Sequence, residues 1–565
     1  MSDRPTPGAR AAAVRARRGC ASGERAPRPP CAARGVGAVL LTMLLAACGS
    51  MSGTTRSQPA ALSDAARDCV AFLDEFDRTV KVAGVGDAAA WRVPDFPYLR
   101  ADRFTASFSR DLADAGRSSG GMSAWIDRML ALDREARRIE STNLPDAHYP
   151  VLGSTDAAAV QARVDTCGDL LVREDASLPA RRERLLETVA VPDDYSTAAR
   201  GFGLYSLTGI GMAAGVRRWQ AETRASYARQ RVAADRERVV FQRYRPASKS
   251  RPDEADGGLD AAAAIALAGE LLAGAPRDAL GIPALDAEAR ERLFAAFAPT
   301  FEIATSAEHD RFGPLQWIDL RGLVWPGADR YWLDVDPSQP VVYRHLAFTR
   351  FERKVLAQLV YTIWFPERPP VAGELEAGRL DGLQWRVTLD DDGQPLLFDT
   401  IHPCGCYHLF FPSARLRAKP PPEGSELEEW VFTPIDRPIE DWVRRRDGAM
   451  PVGPVSLRLT THAHQLIGIG LPGEGWGEPV AENPPYRLVD AERLRVLPLP
   501  GGGSRSVYGP DGLVPGTERI ERFILWPSGI SSPGAMRQYG RQPTAFIGRR
   551  HFDDADLFER RFERR

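Results

Sequence analysis

The spacing of apolar residues changes near Pro299, and this change limits the possible folds more than any other feature of the chain. Before it, apolar residues recur three and four positions apart, as in MSAWIDRMLALDREARRIE, which is the spacing of an amphipathic helix. After it, β-branched and aromatic runs such as LQWRVTL and PLLFDTI are bounded by Pro, Gly and Asp, as strands are. The sequence therefore predicts an α+β fold, an N-terminal helical domain followed by a β-rich C-terminal domain. Within the β-rich half we predict one helix, over FERKVLAQLVYTIWF, and one hairpin turn, over DDDGQP.

The N-terminus carries the pattern of an export signal. Arginines up to Arg34 precede an apolar run, residues 36–45, which has the length of a signal-peptide core and is too short to span a bilayer. The run ends in LLAACGS, which resembles the lipobox of bacterial lipoproteins, and the remaining chain resembles an uncharacterised bacterial lipoprotein family. This resemblance implies that Cys48 is lipidated, with palmitate among its acyl groups, and becomes the N-terminus after cleavage. Because Gly49 rather than Asp follows the cysteine, it also implies an outer-membrane protein that is lipid-anchored and faces the periplasm.

Changes in composition divide the rest of the chain into predicted domains and linkers. A chain of 565 residues is too long to fold around a single hydrophobic core of ordinary size. The stretch PASKSRPDEADGG has the Pro, Ser and charge content of a linker. The predicted parts are a lipoprotein signal peptide (1–47), a flexible tether (48–63), a helical domain (64–245), a linker (246–258), a helical segment (259–298) and a β-rich domain (299–565). Within the helical domain, GFGLYSLTGIGMAAGV is apolar enough for membrane contact, but its five glycines favour a buried connector.

The charge balance excludes one class of partner. The formal net charge of −2 at pH 7 gives no basic footprint for nucleic acid. The expected partners are the membrane, reached through the lipid anchor, and an envelope protein.

Export places the remaining cysteines in an oxidising compartment, where disulfides persist. Cys69 and Cys167 each fall on the apolar stripe of a predicted helix, which begins after Ser63 in the case of Cys69. We predict a disulfide between them, the alternative being two small buried apolar residues.

The stretch HPCGCYH concentrates soft donors, with His402, Cys404, Cys406 and His408 at alternate positions. Thiolate and imidazole together suit zinc or copper, although one straight strand would hold the two histidines about 20 Å apart at roughly 3.3 Å per residue. We therefore expect either a bend at Pro403 and Gly405, or a site in which the two cysteines act with one local histidine and a ligand from elsewhere. A Cys404–Cys406 disulfide or redox pair, and two unrelated buried thiols, are the alternatives.

A second pair of histidines could supply further ligands. His462 and His464 in TTHAHQ are two residues apart in a predicted strand, so that both rings project from one face. The predicted zinc or copper ligands are thus His402, Cys404, Cys406, His408, His462 and His464. His309 and His345 are interpreted as structural, and His551 as part of an exposed charged helix start.

Catalytic signatures such as H-E-x-x-H, G-x-S-x-G and the Walker A loop do not occur. Two functions from different classes remain. One is an exported, membrane-anchored lipoprotein that acts as a periplasmic envelope interaction or assembly module. The other is a periplasmic metal- or thiol-dependent enzyme with its Cys/His site at 402–408.

Overall fold

A computed structural model of the chain describes residues 62–114, 119–229, 240–247, 260–323, 329–371, 374–425, 428–443, 453–472 and 480–565. The predicted lipobox with Cys48, the tether as far as residue 61 and most of the predicted linker lie outside these residues. The fold is α+β, with a helical N-terminal region followed by a strand-rich C-terminal region, and this confirms the predicted fold class.

The helices are α1 (Asp64–Ala83), α2 (Arg103–Ala106), α3 (Ser109–Asp114), α4 (Ser119–Asn143), α5 (Ala157–Leu171), α6 (Pro179–Thr188), α7 (Thr197–Phe202), α8 (Tyr205–Arg229), α9 (Ala261–Gly274), α10 (Ala287–Ala296), α11 (Ile439–Trp442), α12 (Arg522–Leu525) and α13 (Leu557–Arg561). None of the described helices combines the length and the hydropathy needed to cross a bilayer.

The strands are β1 (Trp91–Val93), β2 (Phe96–Ala101), β3 (Phe241–Tyr244), β4 (Thr300–Ala304), β5 (Leu315–Asp319), β6 (Tyr331–Val335), β7 (Val341–Phe351), β8 (Lys354–Arg368), β9 (Gly378–Leu389), β10 (Pro395–Ile401), β11 (Leu409–Pro412), β12 (Leu416–Ala418), β13 (Ser456–Leu459), β14 (Leu466–Gly470), β15 (Val480–Glu482), β16 (Arg487–Asp490), β17 (Leu497–Pro498), β18 (Ser504–Arg505) and β19 (Phe562–Arg564).

Two larger sheets organise the β-rich region. One has the order β11-β10-β9-β8-β7-β16 and the other the order β14-β13-β4-β3-β15. Within the second sheet β4 and β13 are parallel neighbours, with Ile303 opposite Leu459. Apolar side chains of both sheets share one buried core with α9 and α10.

The helical region has a core of its own, and α1 shows how the sequence specifies it. The Ser63 hydroxyl accepts the Ala66 N–H at 3.2 Å and so caps the helix, which ends at Gly84 in the left-handed conformation. The apolar stripe that includes Cys69 and Phe76 is buried against α5. Cys69 and Cys167 are joined by a disulfide with an S–S distance of 2.05 Å, which fastens α1 to α5.

Two local predictions are wrong, and each has a physical reason. The stretch FERKVLAQLVYTIWF lies mostly in strand β8, because a strand buried on both faces is apolar without alternation and resembles a buried helix in sequence. The stretch 201–216 is no buried connector, since most of it begins α8 and presents apolar side chains to solvent. The predicted DDDGQP turn is confirmed between β9 and β10.

Candidate metal centre and buried histidine network

Two loops meet at one edge of the β14-β13-β4-β3-β15 sheet. Because β4 and β13 run parallel, the segments that follow them emerge at the same end of the sheet. The first forms a short 3₁₀ turn, Glu308–Asp310, and the second is the turn between β13 and β14 that carries His462. This topology brings together side chains about 150 residues apart in sequence.

Asp310 joins the two loops. Its Oδ2 accepts hydrogen bonds from the Ser306 N–H and hydroxyl, both at 2.7 Å, and from the Thr461 hydroxyl at 2.6 Å. Its Oδ1 accepts the His462 N–H at 2.7 Å. Burial opposes ionisation, but these hydrogen bonds and the nearby His464 ring outweigh it and lower the pKa of Asp310. The group is therefore a firmly held carboxylate.

Two imidazoles lie beside this carboxylate. The rings of His309 and His462 have centroids 4.9 Å apart, and His309 Nε2 lies 3.6 Å from Asp310 Oδ1. One ligand atom from each of these three residues lies within 4.8 Å of the other two, and among the described residues this is a set that could hold a metal ion. Both histidines are half-buried, so that solvent reaches the site while Asp310 is buried.

A second carboxylate lies behind Asp310 and is linked to it by His464. The His464 Nδ1 is 2.9 Å from Asp381 Oδ2, its Nε2 is 3.4 Å from Asp310 Oδ1, and its ring stacks on Phe365 at 3.8 Å. Burial acts to lower the pKa of His464, but the two carboxylates outweigh it and raise that pKa. Through its contacts with both carboxylates, the buried His464 thus connects the surface loops to the interior.

The chain of contacts ends at His402. Its Nδ1 is 3.2 Å from Asp381 Oδ1, and its buried Nε2 has no hydrogen-bond partner in the described part of the chain. The ring lines a cavity of about 20 Å³ with Trp219, Thr400 and Tyr407. That volume has room for roughly one water molecule.

His408 belongs to a different cluster. Its Nε2 is 2.8 Å from Asp399 Oδ2, and Asp399 also receives two hydrogen bonds from Arg386, at 2.9 and 2.6 Å. Burial, together with the Arg550 and Arg386 cations, lowers the pKa of His408 to about 3 despite its contact with Asp399. At neutral pH this histidine is neutral and supports a buried ion pair.

Cys404 and Cys406 are free thiols near the bend at Gly405, and the Cys406 N–H donates to Cys404 Sγ at 3.4 Å. The hydrogen bond with Cys404, together with burial, raises the pKa of the Cys406 thiol well above its usual range. A thiol of raised pKa is a poor nucleophile and a poor metal ligand, since thiolate is the reactive form.

The six predicted ligands are therefore distributed over separate environments. The two thiols form one group, His408 joins Asp399, His402 and His464 share Asp381, and His462 lies with His309 and Asp310. The prediction that His462 and His464 lie in one strand is wrong, because they occupy a turn and have positive φ angles of 61° and 48°. Their rings consequently face different neighbours.

Two residues of this network escaped the sequence interpretation. His309, read there as structural, lies beside His462, and its adjacency to Asp310 was the one local signal available. Asp381 gives no local signal, because an isolated aspartate within an apolar run indicates neither its burial nor its two histidine neighbours.

A further cleft lies elsewhere, between the helical region and the β-rich region, with a volume of about 1010 Å³. Its lining mixes Arg103, Arg350 and His551 with several carboxylates, and charges of the lining pair with one another, as Arg350 does with Asp111. His551 is buried there, 3.4 Å from Asp193 Oδ1, so its interpretation as part of an exposed helix start is wrong.

No protein family, no curated protein and no solved structure matches the chain. Its class is therefore defined by its own features, as an α+β protein with a disulfide in its helical region and a His/Asp cluster at the edge of a mixed sheet.

Proposed function

We propose that the chain is an exported lipoprotein, anchored through Cys48 in the outer membrane and facing the periplasm, that acts as an envelope interaction or assembly module. The observation that carries this proposal is a surface of large apolar side chains exposed to solvent. Monomeric soluble proteins rarely expose a contiguous apolar patch of more than a few hundred Å², and larger ones mark partner or membrane contacts.

This apolar surface is built from two helical segments. Its members are 42–81% exposed and comprise Phe202, Leu204, Leu207, Ile210, Ile520, Phe523, Ile524 and Trp526. Leu207 and Ile210 are three residues apart on α8, which places them on one face of that helix, and Phe523 and Ile524 are neighbours on α12. The segments adjoin, because a Cβ placed on Gly203 would lie 2.5 Å from Pro527 Cβ and Arg200 Nε donates to the Ser528 carbonyl at 2.6 Å.

The composition of the apolar surface suits the boundary between lipid headgroups and acyl chains. Phe, Leu and Ile enter that boundary, Trp is favoured there, and Arg522, whose guanidinium lies 4.8 Å from the Phe523 ring centroid, supplies positive charge for anionic headgroups. The 13 residues between Cys48 and Leu62 span roughly 45–50 Å when extended. A lipid on Cys48 would therefore hold the surface at high effective concentration near the bilayer, leaving the β-rich region for an envelope protein.

The enzyme alternative at 402–408 receives less support. The raised pKa of Cys406 disfavours thiolate chemistry, and the cavity beside His402 has about 20 Å³, which is too small for a substrate. The unpartnered His402 Nε2 is the one observation in its favour.

The lipid anchor is tested by metabolic labelling. Cells supplied with tagged palmitate should label the wild-type chain, and Cys48→Ala should abolish the label and leave unprocessed precursor, because its thiol is the acceptor in the predicted signal. Cys20→Ala and Cys31→Ala are matched controls that should remain fully labelled. Label retained by Cys48→Ala, measured by in-gel detection and intact-mass spectrometry, would contradict the assignment.

The apolar surface is tested separately with unlipidated protein and vesicles that contain anionic lipid. Leu207→Glu with Phe523→Glu should weaken vesicle binding at least about tenfold, because burial of each side chain contributes roughly 1.5–3 kcal/mol. Val82→Glu changes an isolated valine that is 83% exposed on α1, and it should leave binding unchanged. Equal binding by all three proteins in a sedimentation assay would show that this surface does not contact lipid.

A further inference from the structure

We propose that His309, Asp310 and His462 form a binding site for a divalent transition metal, with zinc as the favoured ion. Two imidazoles and one carboxylate are ligands that zinc accepts, and such a set leaves a position open for water or another ligand. This proposal is independent of the lipid anchor and of the apolar surface.

The first argument is that one nitrogen of His462 is available. Thr461 has a single hydroxyl proton, and its shortest contact, 2.6 Å, is to the Asp310 carboxylate, which can only accept. Thr461 must therefore accept at its 2.8 Å contact with His462 Nδ1. When the ring carries one proton, this contact assigns that proton to Nδ1 and leaves the Nε2 lone pair for a metal.

The second argument is that the carboxylate is already oriented. Its Oδ2 is held by Ser306 and Thr461, whereas Oδ1 accepts one short hydrogen bond, from the His462 N–H. The buried His464 Nε2 makes no hydrogen bond within normal limits and lies 3.4 Å from the same Oδ1. Hydrogen-bonding groups that surround a metal-ligating carboxylate fix its orientation and raise the affinity of the site for the metal.

The third argument concerns reach. Ligand atoms in a tetrahedral zinc site with bonds of about 2.1 Å lie roughly 3.4 Å apart. The three residues offer atoms within 4.8 Å of one another, so the half-buried rings need to close by up to about 1.4 Å. His309 Nε2 contacts the Ser306 hydroxyl at the long distance of 3.5 Å, whereas Asp310 accepts several short hydrogen bonds, so the closing movement falls to His309.

The test uses the full chain in detergent, stripped with chelator and titrated with Zn²⁺ by calorimetry and with Co²⁺ by visible absorption. We expect one bound equivalent, and His309→Gln with His462→Asn should weaken binding by roughly 100-fold or more. Asparagine is chosen at 462 because it tolerates the left-handed backbone there. His148→Gln and the pair Cys404→Ser with Cys406→Ser should bind as the wild type does.

If the double variant fails to fold, the single variant His309→Gln replaces it. His309→Gln alone leaves every hydrogen bond of Asp310 in place and should still lose at least about tenfold in affinity. Unchanged affinity in that variant would overturn the proposal. So would loss of metal in the cysteine variant, which would place the site at 402–408 instead.

Discussion

Replacing Arg386 with methionine is expected to lower the free energy of unfolding by about 3–5 kcal/mol. Arg386 and Asp399 lie opposite each other on β9 and β10, are 1% and 0% exposed, and form two parallel hydrogen bonds. The guanidinium also lies 3.7 Å from the Phe552 ring centroid. Methionine fills part of the volume but leaves the Asp399 charge buried, with His408 as its remaining described partner.

The measurement is urea unfolding followed by fluorescence, with Arg218→Met as the matched control. Arg218 is 82% exposed and pairs with Glu222, so its loss should cost no more than about 1 kcal/mol. Adding Asp399→Leu to Arg386→Met should recover part of the loss, because it removes the unpaired charge. A cost for Arg386→Met as small as that of the control would contradict the account.

The stability deficit of Arg386→Met should depend on pH. In the wild type the pKa of His408 is about 3, below its ordinary value of 6.5, so the unfolded chain binds more protons between these values. His408 therefore costs the wild type stability as the pH falls from about 6.5 towards 3, by up to about 1.4 kcal/mol per unit. Without the Arg386 cation the pKa of His408 should rise, so the deficit of the variant should be smaller at pH 5.5 than at pH 7.5.

Removal of the Cys69–Cys167 disulfide should have a comparable effect, about 4–5 kcal/mol by the loop-closure entropy. The bond closes a loop with a sequence separation of 98, and it constrains the unfolded chain more strongly than a short loop would. Both sulfurs lie in the helical core, so Cys69→Ala with Cys167→Ala avoids burying new polar groups. Urea unfolding of this variant should match that of reduced wild type.

Alkylation gives an internal control for the same bond. In unfolded, unreduced protein, Cys404 and Cys406 should react with iodoacetamide while Cys69 and Cys167 should not. Tryptic mass spectrometry should then find the peptides of Cys69 and Cys167 joined. Free alkylation of Cys69 and Cys167 would refute the bridge, and protection of Cys404 and Cys406 would instead show that those two cysteines are oxidised to a disulfide.

Local patterns predicted much of the architecture because they reflect local physics. The cap at Ser63, the buried stripe of α1 and the turn between β9 and β10 depend on residues a few positions apart. Strand β8, for which the sequence predicts a helix, shows where local patterns fail. A run buried on both faces loses the alternation of apolar and polar residues that identifies a strand. The apolar stretch at 201–216 is unusual in its composition, but its exposure depends on what packs against it.

The sequence by itself determined the α+β class and located the donors worth testing, because periodicity and residue chemistry are properties of the chain. Only the tertiary structure decided which donors meet. His309 joins His462 because β4 and β13 pair in parallel, and His464 faces Asp381 because a turn with positive φ directs its ring inward. Such contacts link residues about 80 to 150 positions apart, and their geometry follows from the pairing of strands that are distant in sequence, which no local pattern encodes.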